Sequence, residues 1–497
     1  MHSLLKSIGV AFVLAGIAAM SAIMALGLEP FVAKMSAPVI GAAALGALVA
    51  SALFLHPIAL LWIVTILTLV VVGLAKYFIA GVGGVQWISY GLGALLYLPA
   101  LAALAGGQAL FRHRSASTWV LFWLAVFLMT VVVSWSFYPP SPGILLASLK
   151  AWAFFGGVWL FLAFYPVSLG SLKSWLYGWL GIAFLQPLVV LYQWFIIGGN
   201  HRAAGGGMSG DWITGTFGGG IGQGGLAPVL ALFLMLIALL LLSAWRQSLI
   251  NTKRLGFLMA IILLPVAFME EKVVFLYVPL AVLVLFRDYA YRRPLAFALT
   301  AGLVAIALTG LFTVYQAIHW EDRGEDAKDM FAYSFQVESN REEYTGHLTR
   351  PGAVVYWARH NFNGGVVETL FGYGLGSART AGQSIGWMAL QKDPMTIDRT
   401  GLSLLLWEVG LIGTAAFLGL LISGMLMASR LMAGEIFTGF EKALAQALVP
   451  SFSLFSVAVL YRNDIPYAGN MMFLLMSAFG LLFWLEHRAT MGSRVAQ

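Results

Sequence analysis

The chain is written in long apolar runs. Segments 8–26, 36–54, 57–75, 86–105, 118–138, 143–165, 174–197, 226–244, 255–269, 273–286, 295–315, 400–427, 443–461 and 470–486 are almost continuously hydrophobic. A run of about 20 such residues carries a helix across the hydrocarbon core of a bilayer. Strands of a membrane barrel alternate polar and apolar residues. These runs do not alternate, so each reads as a transmembrane helix. The pattern predicts an all-α polytopic membrane protein with about fourteen spans. The ninth and tenth runs are short, as in a broken or tilted pair. The first run follows Lys6 and has no small-x-small stop before Glu29. It reads as a retained helix rather than a cleaved signal.

One connection breaks the rhythm. Residues 1–316 hold the first eleven expected helices and 400–497 the last three. Residues 317–399 form a large loop that contains eleven of the 21 acidic residues. A loop this long in a compact protein is expected to be folded and functional. Two or three short helices are expected in it. One is 352–362, opened by Pro351 at a helix start.

Composition agrees with the pattern. Sixty per cent of the 497 residues are apolar and ten per cent charged, against about 25% charged in soluble domains. There is no cysteine, which excludes disulfides, thiolate metal sites and cysteine nucleophiles. The formal charge of +7 is explained by orientation, and no nucleic-acid partner is needed. Basic residues of short loops collect on the cytoplasmic side. With the N-terminus inside, the short outer loops hold Lys34, Lys76, Arg202, Lys272 and Arg462. The inner set, from Lys6 to Arg494, holds fourteen Lys and Arg. Both termini are therefore expected in the cytoplasm, with the large loop outside.

Charges near a membrane face are expensive, so those that persist are candidates for function. The loop 198–225 is glycine-rich and carries Arg202. Its amides can form an anion nest, and Arg202 can add a forked contact to phosphate. The alternative is a flexible turn that meets lipid headgroups. The turn Met269-Glu270-Glu271-Lys272 offers a cation in Lys272 and an orienting carboxylate in Glu271. As an exposed ion pair it is worth under ~1 kcal/mol. The large loop carries His347, Arg350, Arg359, His360 and Glu368. A histidine is the natural base at neutral pH, and His360 is the candidate. Asp398, at the start of the twelfth expected span, is the other. Its alternative role is to favour the helix dipole. No His-x-x-x-His spacing occurs, and the acidic run around His319 reads as solvated charge. No metal or other cofactor is expected, and no Walker-type phosphate loop is present.

Three segments then resemble a known family. Trp212-Ile-Thr-Gly-Thr-Phe-Gly218, Leu370-Phe-Gly-Tyr-Gly-Leu-Gly-Ser377 and Leu404-Leu-Leu-Trp-Glu-Val-Gly-Leu-Ile-Gly413 are similar to motifs of the O-antigen polymerase and O-antigen ligase superfamily. The likeness covers roughly residues 195–425. It implies a GT-C-like membrane glycosyltransferase of the bacterial inner membrane, acting without metal. Its implied partners are an undecaprenyl-diphosphate-linked glycan donor and acceptor, the lipid bilayer and other polysaccharide-export proteins. It implies that the chain polymerises lipid-linked repeat units into O-antigen, capsule or exopolysaccharide. Arg202 and Lys272 match the family's two diphosphate-binding cations by position, with Glu271, Arg350 and Arg359 as supporting candidates. Family ligases carry His-Asn just before the helix after the large loop. Here Asp398-Arg399-Thr400 stands there, and His360-Asn361 precedes the glycine segment. The base is therefore His360 or Asp398. The second cation is Lys rather than Arg, which loses bidentate geometry.

Two alternatives share much of this pattern. One is a ligase that moves finished glycan to lipid or protein. The other is a non-catalytic flippase or transporter, which predicts charges lining a cavity within the spans. Lys150 and Glu408 are the main charges inside the apolar runs. Because the chain has no cysteine, topology can be read directly. Arg202→Cys and Lys272→Cys should react with an impermeant thiol reagent added outside, whereas Arg430→Cys should react only after permeabilisation.

Overall fold

A computed structural model describes residues 56–78, 83–107, 115–203, 212–219, 226–319, 336–337, 348–362, 364–379, 386–434 and 436–495. The expected spans 8–26 and 36–54, and His347, lie outside the described residues. The described part is helical throughout, without strands. In chain order its main helices are α1 (Pro57–Phe78), α2 (Gln86–Ala105), α3 (Ser115–Phe137), α4 (Pro142–Phe164), α5 (Leu169–His201) and α6 (Ala227–Arg246). Then come α7 (Thr252–Phe268), α8 (Val274–Leu285) and α9 (Pro294–His319). The loop holds α10 (Arg350–Asn361), α11 (Val366–Phe371) and α12 (Trp387–Gln391). The chain ends with α13 (Gly401–Ala433), α14 (Gly439–Tyr461) and α15 (Gly469–Val495). Ten of these helices are long and apolar enough to cross a bilayer, which makes this an all-helical polytopic membrane protein. The expected short pair corresponds to α7 and α8.

Local chemistry sets the helix starts. Ser141, Ser168, Asn251 and Thr349 each cap a helix by accepting an amide of its first turn. Pro142 and Pro351 occupy first-turn positions that need no amide donor. Thr400 and Ser403 form a reciprocal capping box at the head of α13. Two helices contain a wider π turn, Leu67–Val71 in α1 and Tyr192–Ile197 in α5. Such turns release backbone groups from the regular ladder and often mark functional sites.

Inside lipid there is little hydrophobic drive between helices, so close packing has to hold them. α13 runs along α3 and α14, α15 along α4, and α6 and α8 lie against α14. Glycines permit the approach. A Cβ on Gly157 of α4 would lie 2.2 Å from the Gly93 carbonyl of α2. One on Gly424 of α13 would lie 2.7 Å from the Phe452 ring of α14. α6, α14 and α15 are the most enclosed of the ten, while the apolar core of α9 has no buried residue. Leu299, Leu303 and Ile306 of α9 are 63–71% exposed, as expected for a lipid-facing rim.

The described part of the large loop forms a folded cap. Leu348, Trp357, Tyr373, Met388 and Ile397 build a second core with Leu404, Leu406 and Trp407 of α13. The first turns of α13 therefore belong to the cap as much as to the bundle. Removing a buried Trp costs about 3–5 kcal/mol. Trp357→Ala should loosen the cap selectively: protease cleavage within 348–400 should accelerate while the spans stay protected.

Candidate functional site

The cap meets the bundle through paired glycine segments. α13 is interrupted at Gly410, whose φ of 63° and ψ of −165° are not helical. At a helix break the preceding carbonyls lose their in-helix donors. The amides of Tyr373 and Gly374 donate to the Trp407 and Glu408 carbonyls instead, both at 2.9 Å. Contact is too tight for any side chain. A Cβ on Gly372 would lie 2.5 Å from the Glu408 carbonyl carbon, and one on Gly410 would lie 2.5 Å from that of Leu370. Both glycines have positive φ. Ser148 of α4 donates to the Leu375 carbonyl at 3.2 Å, which anchors the loop on a third helix. The Glu408 side chain is fully buried and accepts from the Tyr467 hydroxyl at 2.5 Å.

The segment Trp212–Gly218 is also inserted among helices. Thr214, Gly215 and Thr216 donate their amides to side-chain oxygens of Gln193 and Gln186, at 2.9–3.1 Å. The Thr216 hydroxyl donates to the Leu69 carbonyl in the π turn of α1, at 2.6 Å. Asn470 of α15 donates to the Phe217 carbonyl. These three amides are thus engaged within the protein. Residues 204–211 and 220–225 of the same loop lie outside the described residues.

Near these segments lie two groups of charges. The first is balanced. The Nε of Arg350 donates to the Tyr461 carbonyl at 2.9 Å, and its guanidinium lies 3.9 Å from the centre of the Tyr461 ring. Burial pulls the Arg350 guanidinium below its ordinary pKa; Arg462 and Arg399 add to this, while Tyr461 and Glu271 oppose it. Arg462 is paired with Asp464 at 3.4 Å. Glu271, 4% exposed, comes from the α7–α8 turn.

The second group is cationic. Lys76 at the end of α1 donates to Gln86 Oε1 at 2.8 Å. The Lys150 ammonium of α4 lies 5.3 Å from the Trp87 ring centre and 5.8 Å from that of Tyr90. Arg379, just past the glycine segment, lies 5.2 Å from the Tyr467 ring centre. Lys150 feels the charges of both Arg379 and Lys76, and Lys76 feels Arg379.

The structure treats the sequence candidates differently. It brings Glu271 and Arg350 together and places half-buried Lys272 next to Glu271. Arg202 lies in the short helical stretch Gly198–Ala203 that prolongs α5, and its side chain lies outside the described atoms. Arg359 is exposed at the opposite end of α10 from Arg350. The two candidate bases flank the Trp407–Glu408 turn. His360 lies against the Trp407 ring, 5.3 Å between centres. Its Nδ1 is 3.3 Å from the Lys392 ammonium. Partial burial, and then Lys392, lower its pKa. Asp398 is 4% exposed and within electrostatic reach of Glu408. The convergence of Lys76, Lys150 and Arg379 was missed from sequence. The one local signal was Lys150 inside an apolar run. Among the described residues no group of His and carboxylates fit for a metal ion occurs.

Comparison with protein-family models gives no match, and comparison with curated proteins gives none.

Two outcomes test this geometry. Gly410→Ala places a Cβ against backbone at a positive φ, a strain of order 1–3 kcal/mol before the clash is counted. It should lower the unfolding temperature in detergent and expose the cap to protease, while Gly256→Ala, with open space around it, should not. The His360 imidazole should titrate below 6.5, because burial and Lys392 both disfavour its charged form. Lys392→Met should move that midpoint upward, as read by NMR of labelled histidine.

Proposed function

We propose that this protein is a membrane glycosyltransferase that polymerises lipid-linked oligosaccharide repeat units. In this reading fourteen spans sit in a bacterial inner membrane, and the cap 317–399 covers the outer face. The donor glycan is carried on undecaprenyl diphosphate, and the acceptor is a second lipid-linked glycan.

One observation carries the reading. The three segments that resemble the polymerase and ligase superfamily lie far apart in sequence, yet they meet at one end of the bundle. Gly372 abuts Gly410, joining the second and third. The first reaches the same region through Asn470, which holds Phe217, and through Gly73, which abuts Gly218 three residues before Lys76. They meet where cations are partly shielded from water under a folded cap.

The chemistry follows from charge. As the sugar leaves its carrier, negative charge builds on the diphosphate. Fixed cations in a partly dry groove stabilise that charge best. Arg202, Lys272 and Arg350 are assigned to this task, with Glu271 orienting them and Arg359 at the rim. The acceptor hydroxyl must lose a proton. His360 stands on the cap, where partial burial and then Lys392 favour its neutral form, so it can accept one. General-base assistance of this kind contributes about 10²–10⁴-fold. Asp398 is buried and serves to position the Trp407–Glu408 turn.

Arg202→Ala or Lys272→Ala should abolish long polymer while the protein still reaches the membrane. Full-length polymer in both variants would remove these residues from the mechanism. Polymer yield should also fall as pH drops below the His360 midpoint, since the imidazolium cannot accept a proton. Removing residues 330–390 should eliminate polymer. Survival of glycan translocation with no polymer defect would favour a flippase, and loss of attachment with intact long chains would favour a ligase.

A further inference from the structure

Among the described residues Lys150 is a buried cation without an ion-pair partner. It is 7% exposed, it lies eight residues into α4, and its ammonium sits near the Trp87 and Tyr90 rings. Eight residues correspond to about 12 Å along a helix, so the charge sits well below the helix start. Leaving an ammonium there without a counter-charge is costly. Its neighbours make the deficit larger.

A chain of contacts ties the other two cations to it. Gln86 holds Lys76, and the next residue, Trp87, lies under Lys150. Tyr90, one turn on, touches the start of α15, where a Cβ on Gly469 would lie 2.4 Å from its hydroxyl. Tyr467, two residues earlier, carries Arg379 over its ring. Among the described residues none of Lys76, Lys150 and Arg379 forms an ion pair. The nearby carboxylate, Glu408, accepts from Tyr467 through Oε2 and forms no ion pair with the three cations among the described residues. The arrangement contrasts with the Arg350 group, where Glu271 and Asp464 supply opposite charge.

We propose that Lys76, Lys150 and Arg379 form a binding site for a phosphate-class dianion, separate from the Arg350 group. A single carboxylate would leave two of the three positive charges unanswered, whereas a diphosphate dianion leaves one and offers oxygens to all three. Arg379 supplies a forked donor, and the lysines supply compact charge. Depth within α4, and the partly exposed Trp87 and Ile88 beside it (37% and 55%), fit an anion delivered by a lipid carrier. Resting on the polymerase reading, the site holds the diphosphate of the second lipid-linked substrate, because two such carriers must be bound at once.

The test is radiolabelled inorganic pyrophosphate binding to the purified full-length protein in nanodiscs. Arg202→Ala/Lys272→Ala serves as background, which weakens the first site, and the Met variants below report the new one. The background should bind pyrophosphate, and adding Lys150→Met or Arg379→Met should weaken binding about tenfold or more, while Arg379→Lys retains part of it. Arg379 lies on the cap segment, so its variant reports even if Lys150→Met fails to fold. Displacement by undecaprenyl diphosphate at far lower concentration than by inorganic phosphate would support the lipid source. Equal displacement by both would overturn that source and leave a free-phosphate site. No binding in the background, or unchanged binding in both Met variants, would overturn the site itself. Polymer assays are separate: weakened pyrophosphate binding with no polymer defect in the Met variants would leave the anion site standing and defeat its assignment to the second substrate.

Discussion

A backbone amide or carbonyl among apolar helices has no water to turn to, and the structure is organised around meeting that demand. Helices satisfy it alone. The two inserted non-helical segments cannot, and their partners account for several otherwise odd residues. Gln186 and Gln193 serve Thr214, Gly215 and Thr216. The break at Gly410 and the bend at Gly372 serve each other, because amides of the loop take up carbonyls of α13. A π turn in α1 leaves the Leu69 carbonyl to the Thr216 hydroxyl. Remove one partner and a polar group is left unpaired at a cost of about 1–3 kcal/mol, so each insertion depends on its particular mate.

Docking the loop in this way also positions charge. The glycine segment ends at Arg379 and delivers it beside Tyr467, while the broken helix brings buried Glu408 to the same tyrosine. The cap's second core holds α10 over α13, which places His360 on the Trp407 ring and Arg350 on Tyr461. One group of cations is offset by Glu271 and Asp464, and the other has no ion pair among the described residues. The difference separates a group already balanced by carboxylates from the anion site we propose. Aromatic rings under Lys150, Arg350 and Arg379 soften the desolvation of each cation without cancelling its charge.

Much of the architecture was legible in the chain. Helices from residue 57 onward appear where the apolar runs lie, and ten of them are long and apolar enough to cross a bilayer, since helix formation there depends on local run length. The loop helix was legible from Pro351, and the cap at Thr349 adds only its first turn. The short pair α7 and α8 was visible as two short runs. Other features had no local sign. Gly410 in an apolar run looks no different from Gly413 or Gly424, which serve helix packing. Arg379 looked like one more loop charge. Gln186 and Gln193 looked like isolated polar residues in a span.

The sequence by itself determined a helical membrane protein, the positions of its apolar helices from residue 57, and a folded loop, because each of these depends on stretches of neighbouring residues. Tertiary structure alone decided which glycines abut, which carbonyls are released and which cations share a space. Lys76, Lys150 and Arg379 are separated by 74 and 229 positions, and charges interact through distance in space, which only the packed helices set.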